Sequence, residues 1–202
     1  LILLDDVHDR LLARLIEAAR SLRIGPPEDP RHAIGPVIDG EARDRINEYI
    51  VLGKREAKCV LEMDAPKGGF FVGPTIFCDV DPKSQIAQEE IFGPVLSVMR
   101  VKDFDHALEV ANDSQFGLTG GIFSRSPAHI EKARAEFRVG NLYINRGITG
   151  AIVERQPFGG LKLSGIGSKA GGPDYLLQFV EPRTVSENTQ RHGFFPAEGV
   201  TK

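Results

Sequence analysis

The stretch LSVMRVKDFDHALEVANDSQFGLTGGIFSRSPAHIEKARAEFRVGNLYIN, residues 96–145, decides the fold. Leu96–Val101 reads as a strand. Asp103 then caps a helix whose Phe104, Ala107, Leu108 and Ala111 share one stripe at helical spacing. Thr119–Ser124 is the next strand. Ser126-Pro127 starts a second helix, because a hydroxyl caps the free N–H groups and proline tolerates the first helical position. Ile130, Ala133 and Phe137 form its apolar stripe, and Gly140–Asn145 is a third strand. This alternation predicts an α/β fold: a doubly wound, mostly parallel sheet with right-handed crossovers and helices on both faces. Ligands bind past the carboxyl ends of such strands, so chemistry is sought just after Ser124 and Asn145.

Outward from this stretch the same alternation continues. Leu1–Leu4 reads as a short strand, and Asp6 as the cap of a helix reaching about Leu22. A helix over 41–56 turns Ile46, Tyr49 and Ile50 inward. Lys58–Glu62 and Phe70–Val80 read as strands. A short helix is expected around Asp174–Phe179. Val180–Asn188 reads as a strand that Pro182 confines to an edge or to a sheet made with another chain. The residues from Gln190 to Lys202 read as a frayed tail. The expected division is therefore 1–179 for the α/β domain and 180–202 for the C-terminal strand and tail. The chain opens without Met, inside a strand, which reads as a piece of a longer polypeptide.

Composition excludes several function classes. With 25 basic and 28 acidic residues the net charge is −3, which gives no electrostatic reason to expect nucleic acid or an anionic membrane as partner. No apolar run approaches the ~18 residues of a membrane span. Cys59 and Cys78 cannot form a disulfide framework, and they read as quiet thiols in a reducing, cytoplasmic setting. The five histidines lie far apart, with no metal-ligand spacing to Cys or Glu. Gly159–Gly167 is rich in glycine, yet it lacks the Gly-Lys-Ser/Thr of a phosphate loop and misses the dinucleotide fingerprint by one residue. It reads as a tight structural loop. Asn112-Asp113-Ser114 matches a glycosylation sequon and reads as a helix end.

Two segments invite chemistry. In QEEIFGP (88–94) two acids precede an aromatic and a Gly-Pro turn. A carboxylate accepts two O–H bonds from a vicinal diol, so the pair reads either as a ribose ligand or as a solvated acidic turn. In GITGA (147–151) small residues leave a strand end, where backbone N–H groups can approach an anion. The same run also suits a tight crossover loop. Phe158, after Pro157, would wall the same pocket.

Together QEEIFGPVLSV (88–98), NDSQFGLTGGIFS (112–124), GNLYIN (140–145) and PFGGLKLSGIG (157–167) resemble the aldehyde dehydrogenase superfamily, in its order and spacing. The run 140–179 is more narrowly similar to its 1-pyrroline-5-carboxylate (L-glutamate γ-semialdehyde) dehydrogenase branch. The resemblance covers about residues 1–190. It implies that Glu90 holds the ribose hydroxyls of NAD and that Phe92 lies beside the nicotinamide. It also implies that N–H groups of Gly150 and Ala151 hold the α-carboxylate of glutamate γ-semialdehyde, with Phe158 against the substrate chain. It further implies a homo-oligomer joined through the C-terminal strand. The family's nucleophilic Cys, its general-base Glu and the bulk of its NAD-binding domain match nothing here, so no residue is assigned a catalytic role and no metal is expected. The chain alone is expected to be inactive. Two other readings stay open: a related dehydrogenase for another small acidic aldehyde, and a non-catalytic binding or oligomerisation module.

Overall fold

The computed structural model describes residues 1–189. In chain order it contains β1 (Ile2–Leu4), α1 (Asp5–Arg20), α2 (Gly40–Glu56), β2 (Lys58–Glu62), β3 (Thr75–Cys78) and α3 (Gln85–Gln88). There follow β4 (Val95–Ser97), β5 (Met99–Val101), α4 (Phe104–Asn112), β6 (Phe116–Gly117), β7 (Thr119–Ile122), α5 (Pro127–Glu136), β8 (Asn141–Ile144) and β9 (Leu161–Lys162). A 3-10 turn spans Tyr175–Phe179. The expected mixed α/β architecture with parallel strands is what forms. The pairs β1–β5, β3–β4 and β7–β8 are parallel, whereas β2–β3 and β6–β9 are antiparallel.

The strand read at 96–101 is one extended segment that changes partner at Val98. Its first half pairs with β3 and its second with β1. Val98 N–H donates to the Phe77 carbonyl (2.8 Å), and Met99 N–H donates to the Leu1 carbonyl (2.9 Å). β3 is buried at all four positions, and its side chains alternate between two cores. Phe77 points to α2, where it packs with Ile46, Ile50, Val80 and Ile91. Ile76 and Cys78 point the other way, into a cluster with Leu3, Ala19 and Val98. Helices thus cover both faces of this sheet. α2 comes close because Gly53 lacks a side chain: a Cβ there would lie 2.6 Å from Cζ of Phe77. Truncating a fully buried Phe such as Phe77 costs about 3–5 kcal/mol.

Several boundaries differ from the sequence reading. Asp6 is not the cap of α1. The chain leaves β1 directly into the helix at Asp5, and Leu4 occupies the cap position with no side-chain bond. Asp5 and Asp6 instead lie in the first turn, where negative charge suits the helix dipole, and Arg100 on β5 bonds Asp5 at 2.8 Å. The strand expected at 70–80 shrinks to Thr75–Cys78, since Gly73 lies flat on Met63 and Pro74 has no N–H to give a ladder. The caps by Asp103 and Ser126 form as read, each accepting from the backbone three residues on. Among the described residues, the segment read as a strand at 180–188 joins no strand ladder, and the segment read as a frayed tail lies outside the described residues.

The site is positioned by β7 and β8. Their parallel register runs from Thr119–Asn141 to Ile122–Ile144. Asn145, with φ 55°, continues it by side chain: its Oδ1 accepts from Ser124 N–H (2.8 Å) and its Nδ2 donates to the Ser124 carbonyl (3.0 Å). The amide therefore holds the two strand ends side by side, just where each releases a loop.

Candidate functional site

The QEEIFG corner is built from alternate anchoring and release. Ile86 and Ile91 are buried, which fixes both ends of the turn. The short α3 is capped by Glu56, which accepts from the N–H groups of Gln85 (3.3 Å) and Ile86 (3.1 Å). Between the anchors, Glu89 and Glu90 reach solvent. Glu89 is occupied: the Tyr49 hydroxyl donates to it at 2.5 Å and Gln85 Nε2 at 2.9 Å. The Tyr49 bond, then the Gln85 bond, holds its carboxyl below the ordinary carboxylate range, and Glu89 in turn pushes Tyr49 up. Glu90 is tied only through its carbonyl, which accepts from Arg45 (3.2 Å). Among the described residues no hydrogen bond holds its carboxylate.

Phe92 is pushed outward. It is 77% exposed and sits at φ 57°, a backbone region that bulky side chains rarely adopt. Gly93 follows because a Cβ there would lie 2.7 Å from Ile46. Core contact on both sides thus presents the ring to solvent.

Glu90 lines a groove of about 410 Å³. Its opposite wall is Phe116, Leu118 and Leu163, with Ser114 and Ser164 as polar groups. The glycine-rich loop makes that wall. β9 pairs with β6, Ser164 Oγ accepts from Gly117 N–H (3.1 Å), and Lys162 Nζ donates to the carbonyls of Asn112 (2.7 Å) and Ser114 (2.8 Å). The structural reading of Gly159–Gly167 is therefore right in its local detail. The larger depression along α2, about 510 Å³ and lined by Asp44, Val51 and Arg55, contains none of the candidate residues.

Gly150, Ala151 and Phe158 lie outside this groove, on the loop after β8. Gly150 has φ 79°, and a Cβ built on it meets nothing within 4 Å, so the loop faces open space. Among the described residues neither the Gly150 nor the Ala151 N–H donates a hydrogen bond. The loop is held from behind by Arg146. Its guanidinium lies 5.1 Å over the Tyr143 ring, and its Nη2 donates to the Thr149 carbonyl (3.3 Å). With the Gln156 amide turned to suit its neighbours, its oxygen accepts from Arg146 Nη1 (2.7 Å) and its nitrogen donates to the Gly150 carbonyl (3.1 Å). Phe158 is fixed by a two-way backbone bridge to Ala170, both bonds 2.9 Å. Asn141 clasps its neighbours, donating to the Pro157 carbonyl (2.9 Å) and accepting from Gly159 N–H (3.2 Å).

Sequence reading placed Tyr49 inward on its helix but missed its bond to Glu89, and it missed Arg146, Gln156 and the wall formed by Phe116 and Leu163. Gln156 stands directly before the Pro-Phe-Gly-Gly run, but nothing in the spacing says that its amide turns back on Gly150. Asn112 ends α4 and bonds the Glu136 carbonyl (2.8 Å) and Arg138 N–H (2.8 Å), so it serves as a helix end. Burial raises the thiols of both Cys59 and Cys78. Among the described residues no three His, Cys, Asp or Glu side chains gather as a metal site would, and no helix is long and apolar enough to cross a membrane.

The layered α/β core thus carries a carboxylate without a hydrogen bond among the described residues on one corner, and a loop with two undonated N–H groups past a parallel strand. The sequence profile of the Aldehyde dehydrogenase family matches residues 1–185, and the chain belongs to that family. It is 54% identical over 188 residues to the 1-pyrroline-5-carboxylate dehydrogenase of Geobacillus sp. (strain WCH70), covering 92% of this chain and 36% of that relative. It therefore spans about a third of that relative's length. The structure superposes on 1-pyrroline-5-carboxylate dehydrogenase from Thermus with bound NAD with a TM-score of 0.85 at 52% identity, covering 89% of this chain and 35% of the other. It superposes on proline utilization A from Bdellovibrio bacteriovorus, inactivated by N-propargylglycine, with a TM-score of 0.92 at 55% identity, covering 98% of this chain and 20% of the other.

Proposed function

We propose that this chain is the C-terminal part of a cytoplasmic, NAD-dependent dehydrogenase that oxidises L-glutamate γ-semialdehyde to L-glutamate in proline catabolism, and that it is inactive alone. The observation that carries the substrate choice is the Gly150–Ala151 loop past β8: its two N–H groups donate to nothing among the described residues, and a side chain built on Gly150 would meet open space. Such donors bind a carboxylate without a cationic side chain, provided no side chain blocks the approach.

In this reading each residue has a defined task. Gly150 and Ala151 hold the carboxylate end of the substrate, so the aldehyde end falls at a fixed distance from the anchor. Phe158 packs on the carbon chain between the two ends. Glu90 accepts the ribose hydroxyls of NAD, and its free carboxylate in the groove fits a diol partner. Phe92 limits how far the nicotinamide ring swings and keeps water from that face. NAD, when bound, accepts a hydride. The nucleophilic cysteine and general base belong to the portion of the relatives that this chain does not span.

The test is NADH formation by the full-length polypeptide with glutamate γ-semialdehyde and, separately, with pentanal. A marked preference for the carboxylated aldehyde is expected. Equal rates favour a dehydrogenase for another substrate, and no activity with either favours a non-catalytic module.

A further inference from the structure

We infer that Arg146 and Gln156 are positioning residues that aim the two anchor N–H groups at the substrate carboxylate. The inference rests on the anchor reading of Gly150 and Ala151 and adds what sets their direction.

A trans peptide points its C=O and N–H to opposite sides. The Thr149 carbonyl is held by Arg146 Nη2 at 3.3 Å, so the Gly150 N–H of the same peptide points away from Arg146. The Gly150 carbonyl is held by Gln156 Nε2 at 3.1 Å, so the Ala151 N–H points away from Gln156. The two holders are themselves joined, Arg146 Nη1 to Gln156 Oε1 at 2.7 Å. One connected clamp therefore grips two successive carbonyls from behind and turns both N–H groups to the open side. The left-handed φ of Gly150, 79°, lets successive N–H groups converge in the manner of an anion nest. Arg146 is unsuited to meet the carboxylate itself, since its face lies on Tyr143 and both arms are engaged within the loop.

The experiment compares kcat/KM for glutamate γ-semialdehyde with kcat/KM for pentanal in the full-length polypeptide, in wild type, Gln156→Met and Arg146→Lys. Met keeps the bulk of Gln without its amide, and Lys keeps the charge of Arg without the second arm. Misaiming a hydrogen bond to a charged group predicts that the ratio of the two values falls about tenfold or more in both variants. The inhibition constant of L-glutamate should rise by a similar factor. A general structural role lowers both activities together and leaves the ratio at its wild-type value, which overturns the clamp while leaving the anchor standing. A ratio retained only in Arg146→Lys shows that charge rather than bridging matters, and it overturns the role of Arg146. A wild type without preference removes the anchor reading itself.

Discussion

Tyr49 donates a 2.5 Å hydrogen bond to Glu89, and that bond decides which of two adjacent acids is free to meet a ligand. Both acids line the groove, but the Glu89 carboxylate is engaged by Tyr49 and Gln85, whereas among the described residues no hydrogen bond holds that of Glu90.

If Glu90 holds the ribose hydroxyls, Glu90→Gln in the full-length polypeptide keeps the shape of the corner and weakens two charge-assisted contacts. Bonds to a charged group contribute about 1.5–3 kcal/mol, so the Kd for NAD should rise roughly ten- to a hundredfold. Fluorescence titration with NADH checks this, with Glu89→Gln as the comparison expected to move far less. Equal effects from the two variants would refute the division of labour.

The Tyr49–Glu89 pair also predicts a pH signature. The folded-state pKa of Glu89 is depressed, so its contribution to stability is present above the ordinary carboxylate range and is lost as pH falls through the depressed value. That of Tyr49 is raised, so its contribution holds below the ordinary tyrosine value, about 10, and is lost as pH rises through the raised one. The difference in urea midpoint between wild type and Tyr49→Phe should therefore be present at neutral pH and shrink in acid. A difference independent of pH would contradict the pairing.

Gly140→Ala probes the support of Phe158. A Cβ at Gly140 would lie 1.8 Å from the Gly159 carbonyl oxygen, so backbone must move. Overpacking of this kind costs about 1–3 kcal/mol. A lowered Tm and a raised KM for the carboxylated aldehyde are expected. An unchanged KM would show that Phe158 does not depend on this contact.

Among the described residues, 181–187 join no strand ladder, and Val180 and Val185 are exposed at 62% and 72%. If the segment adds to a second subunit's sheet, removing residues after Phe179 from the full-length enzyme should give monomers or aggregates on a sizing column. An unchanged native oligomer would place the interface elsewhere.

Local signals made much of the fold legible in the sequence. Asp103 and Ser126-Pro127 announce their helices, and the stripe of α4 is continuous, because caps and periodicity act within a few residues. The partner change at Val98 was not legible, since it depends on Leu1 and Phe77, far away in the chain. At the site, the glutamates and the small-residue loop stand out by residue type. Which glutamate is free depends on a hydroxyl forty residues away, and the direction of the loop's N–H groups depends on a glutamine amide that folds back on it. Those relations belong to tertiary structure.

The most direct test of the central claim is the ratio of kcat/KM for glutamate γ-semialdehyde to that for pentanal, in wild-type full-length enzyme and in Ala151→Leu. A bulky side chain at 151 blocks the approach of the carboxylate to the backbone donors. The account predicts a strong wild-type preference for the carboxylated aldehyde that Ala151→Leu abolishes. A wild type without preference, or a variant that keeps it, would contradict the assignment of Gly150 and Ala151 as the carboxylate anchor.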